Sequence, residues 1–155
     1  MGGGGEGGFH TRTPEASLTD LTLNGITTVV GCIGTDGVAR HMESLLAKTK
    51  GLAEEGITTY VYTGSYQVPV HTVTGSMMKD IMMLDKVIGA GEIAISDHRS
   101  SQPTFEEFAR IAADARGGGM LAGKAGVVNV HLGDSPRMMD LILRVVRKTE
   151  IRYPK

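Results

Sequence analysis

The chain of 155 residues has the length of one domain, and 41% apolar and 21% charged residues are the composition of an ordinary globular protein. Sixteen Lys and Arg against seventeen Asp and Glu give a net charge of −1, without the basic excess typical of nucleic-acid-binding proteins. No apolar stretch approaches the roughly 18 residues of a membrane-spanning helix, and no signal peptide opens the sequence. The single cysteine, Cys32, cannot form an internal disulfide. We therefore expect a cytoplasmic protein with neither nucleic acid nor membrane as partner.

A glycine-rich segment occupies positions 1–8, and a short helix is predicted to follow it. Thr13 fits the N-cap of that helix and Pro14 its first turn, where the missing amide hydrogen of proline costs nothing. Asn24 and Gly25 fit its end. The glycine run matches a dinucleotide-binding pattern only trivially, because no strand precedes it and no P-loop lysine follows it.

Four apolar, β-branched runs then alternate with stretches of helical spacing. The predicted strands cover 26–30, 58–62, 92–96 and 127–131, and the predicted helices cover about 42–55, 77–86, 104–116 and 135–148. Strand starts near 27, 58, 92 and 127 lie 31 to 35 residues apart, which is typical of βα units, and apolar strands between amphipathic helices indicate a parallel sheet. Two architectures fit this α/β pattern: an open doubly wound sheet, or part of an eightfold (β/α) barrel.

Polar side chains gather where the predicted strands end, which is where both architectures place their chemistry. Tyr66 follows the second strand in a glycine-flanked loop, Asp97 to Arg99 follow the third, and His131 ends the fourth. Tyr66 could polarise a carbonyl or merely pack. Arg99 could bind a carboxylate through two hydrogen bonds, or Asp97 to Arg99 could form a turn with an Asp cap.

Glu92 lies inside the apolar run 87–95. A carboxylate within a buried strand is costly unless it is paired or bound to a metal ion, so Glu92 is either a metal ligand or a carboxylate near the surface or in a salt bridge. His131 has the same two interpretations, because a neutral imidazole is the commonest metal ligand but also a frequent hydrogen-bonded structural group.

Several motifs occur in the order that one family shows, and together they extend over nearly the whole chain. They are Gly2–Gly8, Thr11–Pro14, Gly34–Asp36, Glu43–Thr49, Thr63–Tyr66, Ile95–Ser100 and Val130–Ser135. In these motifs the chain resembles the isoaspartyl (β-aspartyl) dipeptidases of the amidohydrolase superfamily.

The resemblance implies a metal-dependent (β/α) barrel of the TIM type that hydrolyses isoaspartyl dipeptides, with two zinc ions and a bridging hydroxide supplying the nucleophile. It also implies the role of each matching residue. Glu6 would hold the substrate amino group, Thr35 would contact substrate, and Arg99 would bind a carboxylate. Tyr66 would polarise the scissile carbonyl, and His131 would ligate zinc.

The chain departs from the family pattern at two places. Many members carry a carbamylated lysine between the metals, and that position falls here on Glu92, which could bridge with its own oxygens. Lys124, the alternative lysine, precedes the fourth strand and lies at the wrong end of the barrel. The upstream His-x-His pair, the next metal-binding His and the catalytic Asp have no counterpart in this sequence.

These departures predict one partial barrel domain, residues 1–155, of about four parallel βα units, with doubtful zinc occupancy and no peptidase activity on its own. The alternative is a non-catalytic half-barrel that acts as a binding or assembly module, and a less favoured one is an independent doubly wound binding domain. An incomplete barrel leaves strand edges and an apolar face uncovered, so we also expect a homo-oligomer. The expected small-molecule partner is an isoaspartyl dipeptide.

Overall fold

The computed structural model describes residues 7–8 and 10–151. Within these residues, five helices and four strands follow one another along the chain. They are α1 (Leu18–Thr22), β1 (Thr28–Gly31), α2 (Met42–Glu54), β2 (Thr58–Thr63), α3 (Met77–Met83), β3 (Val87–Ile95), α4 (Phe105–Ala122), β4 (Val127–Leu132) and α5 (Asp140–Lys148).

The four strands form one parallel sheet in the order β1-β2-β3-β4. A doubly wound sheet would reverse its order at a switch point, and this sheet does not. The sheet curls so far that the Asn129 amide on β4 lies 3.8 Å from the Cys32 sulfur, just beyond β1. The architecture is an α/β partial barrel of four parallel strands, which confirms the parallel strands predicted from the spacing and the partial barrel implied by the family resemblance.

The core lies between the sheet and the helices that cover it. Its fully buried members come from the strands, the helices and the segment after β1, and they include Ile33, Leu45, Val61, Ile81, Val87, Ile93 and Ile95. Burial of such aliphatic side chains contributes roughly 1.5–3 kcal/mol each. None of the helices in the described part of the chain is long and apolar enough to span a membrane.

Helix α4 confirms the predicted start but continues past the predicted end at residue 116. Thr104 and Glu107 form the expected capping box. The glycines at 117–119 stay helical, because their lack of side chains lets the helix pack closely against its neighbours. A Cβ on Gly119 would lie 2.4 Å from the Gly126 Cα. The helix ends instead at Gly123, which has a φ of +65°.

Helix α3 ends at Met83 rather than at residue 86, and three further predicted boundaries were wrong. Helix α1 begins at Leu18 with Ser17 as its N-cap, since Ser17 and Asp20 form a capping box that outcompetes the Thr13–Pro14 signal. Strand β3 begins at Val87, five residues before the predicted start, which places Glu92 in its interior. Helix α5 begins at Asp140 rather than at residue 135.

Candidate functional site

Glu92 is held at the carboxyl end of the sheet by a bulge in β3. The register with β4 shifts between Gly91 and Ile93, so Glu92 is the extra residue between them. Such a bulge redirects a side chain. Gly91 has a φ of +147°, and a Cβ there would lie 2.6 Å from the Asn129 carbonyl oxygen, so the bulge requires glycine.

His131, on the neighbouring strand β4, lies between two carboxylates. Its Nδ1 is 2.9 Å from Glu92 Oε1, and its Nε2 is 3.1 Å from Asp97 Oδ2. The Glu92 and His131 side chains remain about one-quarter exposed, at 24% and 27%, so a ligand can reach them. Each carboxylate can accept a hydrogen bond from the ring nitrogen that it faces, and the Arg99 Nη2 donor also lies 3.2 Å from Nε2.

Asp97 is the buried anchor of this arrangement, with its side chain only 3% exposed. The Arg99 guanidinium donates through Nε to Oδ1 (3.0 Å) and through Nη2 to Oδ2 (2.8 Å), and the Arg99 backbone N–H donates to Oδ1 (2.7 Å). These Arg99 hydrogen bonds hold the pKa of the Asp97 carboxyl well below its usual range. Gly133 packs directly on Asp97, since a Cβ there would lie 2.5 Å from the Asp97 Cβ.

Tyr66 contacts the same ring nitrogen of His131 as Glu92 does. Its hydroxyl lies 2.8 Å from His131 Nδ1, the two rings are 4.5 Å apart at their centroids, and the Arg99 guanidinium lies 5.4 Å from the Tyr66 ring centre. Burial and, to a smaller extent, the Glu92 charge raise the pKa of the Tyr66 phenol. The phenol is therefore protonated at neutral pH and can donate a hydrogen bond.

The loops that follow β1 and β2 bring Thr35 close to Tyr66. The Tyr66 backbone N–H donates to the Gly34 carbonyl at 3.1 Å, and the neighbouring Thr35 hydroxyl offsets part of the rise in the pKa of the Tyr66 phenol. A cavity of about 450 Å³ is lined by Thr35, Tyr66 and Glu92 together with residues of β1 and α2. It is large enough for a small-molecule ligand.

The Glu92–His131 pair fits part of a metal site. An oxygen and a nitrogen that share a tetrahedral zinc ion at about 2.0–2.2 Å lie roughly 3.4 Å apart, close to the observed 2.9 Å. A carboxylate and an imidazole lone pair at this distance repel each other unless a proton or a cation lies between them. Asp97 contacts the opposite ring nitrogen and so cannot join the same ion. Among residues 7–8 and 10–151, no three His, Cys, Asp or Glu side chains are grouped to hold one ion.

Most of the residues singled out from the sequence meet in this cluster. Glu92, His131, Tyr66 and Arg99 contact one another in a chain, and Thr35 contacts Tyr66. The prediction for Glu6 falls outside the described residues.

Asp97 has a role that the sequence did not predict. Asp97 is more than a turn cap, because it orients both Arg99 and His131. Its position beside Arg99 after an apolar strand was the only sequence signal for this role. His98, between them, has a side chain that is 73% exposed.

Lys124 lies away from this cluster, as the sequence suggested. Its ammonium group donates to the carbonyls of Ile81 (2.7 Å) and Leu84 (2.6 Å), at the end of α3. It therefore closes a helix terminus and does not reach Glu92.

No protein-family model matches the chain. Among solved structures, it is similar to two crystal structures of the β-aspartyl dipeptidase of the thermophilic, keratin-degrading Fervidobacterium islandicum AW-1, one of them in complex with a β-Asp-Leu dipeptide. Each match has 60% sequence identity and a TM-score of 0.95, and covers 97% of this chain and 41% of that chain. The chain thus spans about two-fifths of the length of these structures. Over the segment that it spans, the chain is similar in sequence and fold to the β-aspartyl dipeptidases, which confirms the family resemblance carried by its motifs.

Proposed function

We propose that the chain forms the Glu92–His131 part of an active site for metal-dependent hydrolysis of β-aspartyl dipeptides. The observation that carries the proposal is the contact between Glu92 Oε1 and His131 Nδ1 at the carboxyl end of the sheet. The similarity to a dipeptidase that was solved with β-Asp-Leu supports the substrate class.

Glu92 and His131 would hold the metal, which by family resemblance is zinc, with two ions in a complete site. Bound zinc supplies a hydroxide at neutral pH and polarises a carbonyl oxygen. Asp97 would keep the His131 proton on Nε2, so that Nδ1 stays available for the metal, and Arg99 would keep Asp97 ionised. A carboxylate on the far nitrogen is the common support of a metal-binding histidine.

Tyr66 would donate its phenol hydrogen to the carbonyl oxygen of the scissile amide. Its raised pKa keeps that proton in place at neutral pH, and its contact with His131 places it beside the metal-binding pair. A donor aimed at the oxygen that becomes negative during attack stabilises the transition state more than the ground state.

Arg99 and Thr35 would orient the dipeptide. A guanidinium has five N–H groups, enough to hold Asp97 and also receive a substrate carboxylate. The Thr35 hydroxyl is close enough to Tyr66 to bind the same end of the substrate. By family resemblance, Glu6 would bind the substrate amino group.

A catalytic zinc site normally has three protein ligands and a water, and the Glu92–His131 pair supplies two. We therefore expect the isolated chain to lack turnover and to need further ligands from other protein segments. A chimera supplies them: in the Fervidobacterium dipeptidase, the segment that matches this chain is replaced by residues 1–155.

The test is hydrolysis of β-Asp-Leu and its α-linked isomer by the zinc-loaded chimera. We expect cleavage of the β-linked isomer, little cleavage of the α-linked isomer, and loss of activity on chelation. Tyr66→Phe should lower kcat roughly 100- to 1,000-fold with a small effect on KM. Glu54→Gln at the end of α2 is the control, because Glu54 lies outside the cavity that Thr35, Tyr66 and Glu92 line, and it should leave kcat unchanged.

A folded chimera that binds zinc but does not cleave β-Asp-Leu, while the parent enzyme does, would contradict the proposal. If such a chimera still binds the dipeptide, the binding-module alternative becomes the better account. Equal loss of kcat in the Tyr66→Phe and Glu54→Gln variants would remove the specific role of Tyr66.

A further inference from the structure

The side chain of Gln67 joins the loop that follows β1 to the loop that follows β2. Its Nε2 donates to the Thr35 carbonyl at 3.2 Å, and its Oε1 accepts from the Ser65 hydroxyl at 3.0 Å. Because a carbonyl oxygen only accepts hydrogen bonds, the amide nitrogen must face Thr35. Ser65 is completely buried, so its hydroxyl holds the Gln67 amide in that orientation.

The first loop leaves room for this amide because residue 37 is glycine. A Cβ on Gly37 would lie 2.5 Å from the Ser65 Oγ and 2.9 Å from the Gln67 Oε1. Gly37 does not have a positive φ, so the glycine serves this contact and not the backbone conformation. His71, further along the second loop, adds another contact, since its Nδ1 lies 3.1 Å from the Gly37 carbonyl oxygen.

The backbone of Tyr66 is held by the sheet. Its carbonyl accepts from the Ala94 N–H on β3 at 3.2 Å, and β3 also carries Glu92. Tyr66 and Glu92 therefore belong to one frame. Thr35 lies in a loop beyond β1, and the Gln67 side chain ties its backbone to that frame.

We propose that Gln67 is a positioning residue that sets the spacing between Tyr66 and Thr35, and thereby the preference for β-linked over α-linked aspartyl dipeptides. This role rests on the proposed function, in which Tyr66 meets the scissile carbonyl and Thr35 binds the same substrate. In a β-linked dipeptide, one more methylene separates the scissile carbonyl from the carbon that bears the amino group, a difference of roughly 1.5 Å. Two contact groups held at one spacing fit one of these lengths better than the other.

The experiment compares kcat/KM for β-Asp-Leu and α-Asp-Leu in the zinc-loaded chimera that carries residues 1–155. Gln67→Met keeps the length of the side chain and removes its hydrogen bonds to Ser65 and Thr35. Gly37→Ala adds a Cβ that displaces the same amide from the other loop. We expect each variant to lower the ratio of the two kcat/KM values at least about tenfold, since a displacement of about 1 Å at a substrate contact can cost about 100-fold.

Each variant has a matched control. Asn24→Leu also removes a side-chain amide that donates to a backbone carbonyl, that of Asp20 at 2.8 Å, but Asn24 is exposed beyond the end of α1. Gly51→Ala adds a Cβ within α2, where nothing lies within 4 Å of it. Both controls should keep the ratio of the unmodified chimera. A loss of folded protein lowers both kcat/KM values together, so the ratio separates positioning from stability.

An unchanged ratio in Gln67→Met would overturn the proposal, whatever its total activity. An equal fall in the two controls would overturn it as well. If circular dichroism shows that Gln67→Met does not fold, the ratio in Gly37→Ala decides alone.

Failure of the proposed function gives a different result. A chimera that binds the dipeptides but cleaves neither would contradict that function, and the ratio of the two Kd values from titration calorimetry would then decide the role of Gln67 by the same criterion. A chimera that binds neither isomer would overturn both.

Discussion

Glu92 Oε1 lies 2.9 Å from His131 Nδ1, although the two residues are 39 positions apart in the chain. The contact joins neighbouring strands β3 and β4 at their carboxyl ends. It depends on the β3 bulge, which turns the Glu92 side chain towards His131, and on Asp97, which fixes the imidazole from the other side. Two groups that repel each other unless a proton or a cation lies between them are thus held in contact, which is compatible with the metal-binding role that we propose for them.

Asp97→Asn should destabilise the fold and remove a pH-dependent contribution. The native pKa of Asp97 is lowered, so its stabilising effect is fully present above the unfolded-state pKa of about 3.9 and is lost as pH falls through the lower native value. We expect a loss of about 2 kcal/mol in the free energy of unfolding at pH 7, measured by urea denaturation. The difference from the unmodified chain should begin to shrink only below about pH 4.

Asp85→Asn is the control for this measurement, because the Asp85 side chain is 71% exposed and its contact with Lys50 is 3.9 Å long. It should change the free energy of unfolding by less than about 0.5 kcal/mol. If both variants lose the same stability, or if the Asp97→Asn difference is already gone at pH 6, the anchoring role of Asp97 is wrong.

Asp80→Asn should loosen the loop that presents Tyr66. Asp80 is fully buried and accepts hydrogen bonds from the Thr63 hydroxyl (2.6 Å), the Val73 N–H (2.9 Å) and the Thr74 N–H (2.8 Å) and hydroxyl (2.7 Å). It thereby ties the end of β2 to the far end of the loop. Replacing one acceptor oxygen with an amide leaves buried donors unpaired, at a cost of about 1–3 kcal/mol.

The measurement is hydrogen exchange of the Val73 and Thr74 amides together with thermal unfolding. We expect faster exchange at these two amides and a lower melting temperature than in the Asp85→Asn control. Unchanged protection of both amides would contradict the tie between β2 and the loop.

Cys32 should react slowly with alkylating reagents at neutral pH. Burial, and after it the negative charge of Glu92, raise the pKa of the Cys32 thiol to about 11. Because the thiolate is the reactive form, the rate between pH 8 and 9.5 should be at least about tenfold below that of the urea-unfolded chain. Glu92→Gln removes the nearby negative charge, so it should lower the Cys32 pKa and speed alkylation.

This assay uses chelator-treated protein, so that no metal ion changes the charge near Cys32. Glu54→Gln, at the end of α2, serves as the control and should leave the rate unchanged. A Glu92→Gln variant that reacts more slowly than the unmodified chain would contradict the electrostatic contribution of Glu92.

The sequence predicted the contact between Glu92 and His131 better than it predicted the orientation of either side chain. The βα spacing makes the strands that carry them neighbours, and parallel neighbours bring their carboxyl ends together. The bulge at Glu92 has no reliable signature in one sequence. It requires Gly91, but a glycine in a strand is compatible with several backbone geometries.

Asp97 shows a second limit of sequence analysis. An Asp two residues before an Arg after a strand fits a turn, and only the curled sheet brings His131 within 3.1 Å of it. Helix α4 shows a third limit, because a run of three glycines indicates a helix end by propensity. Here tertiary packing of Gly118 on Ile81 and of Gly119 on Gly126 outweighs that propensity.

The most direct test of the metal-binding pair is the zinc content of the chimera that carries residues 1–155 in the Fervidobacterium dipeptidase, measured after dialysis together with β-Asp-Leu hydrolysis. Glu92→Gln keeps the shape of the side chain and removes the charge that would hold the ion. We expect this variant to lose zinc and at least about 1,000-fold in kcat, while Glu54→Gln keeps both. Full zinc content and unchanged hydrolysis in the Glu92→Gln chimera would contradict the account.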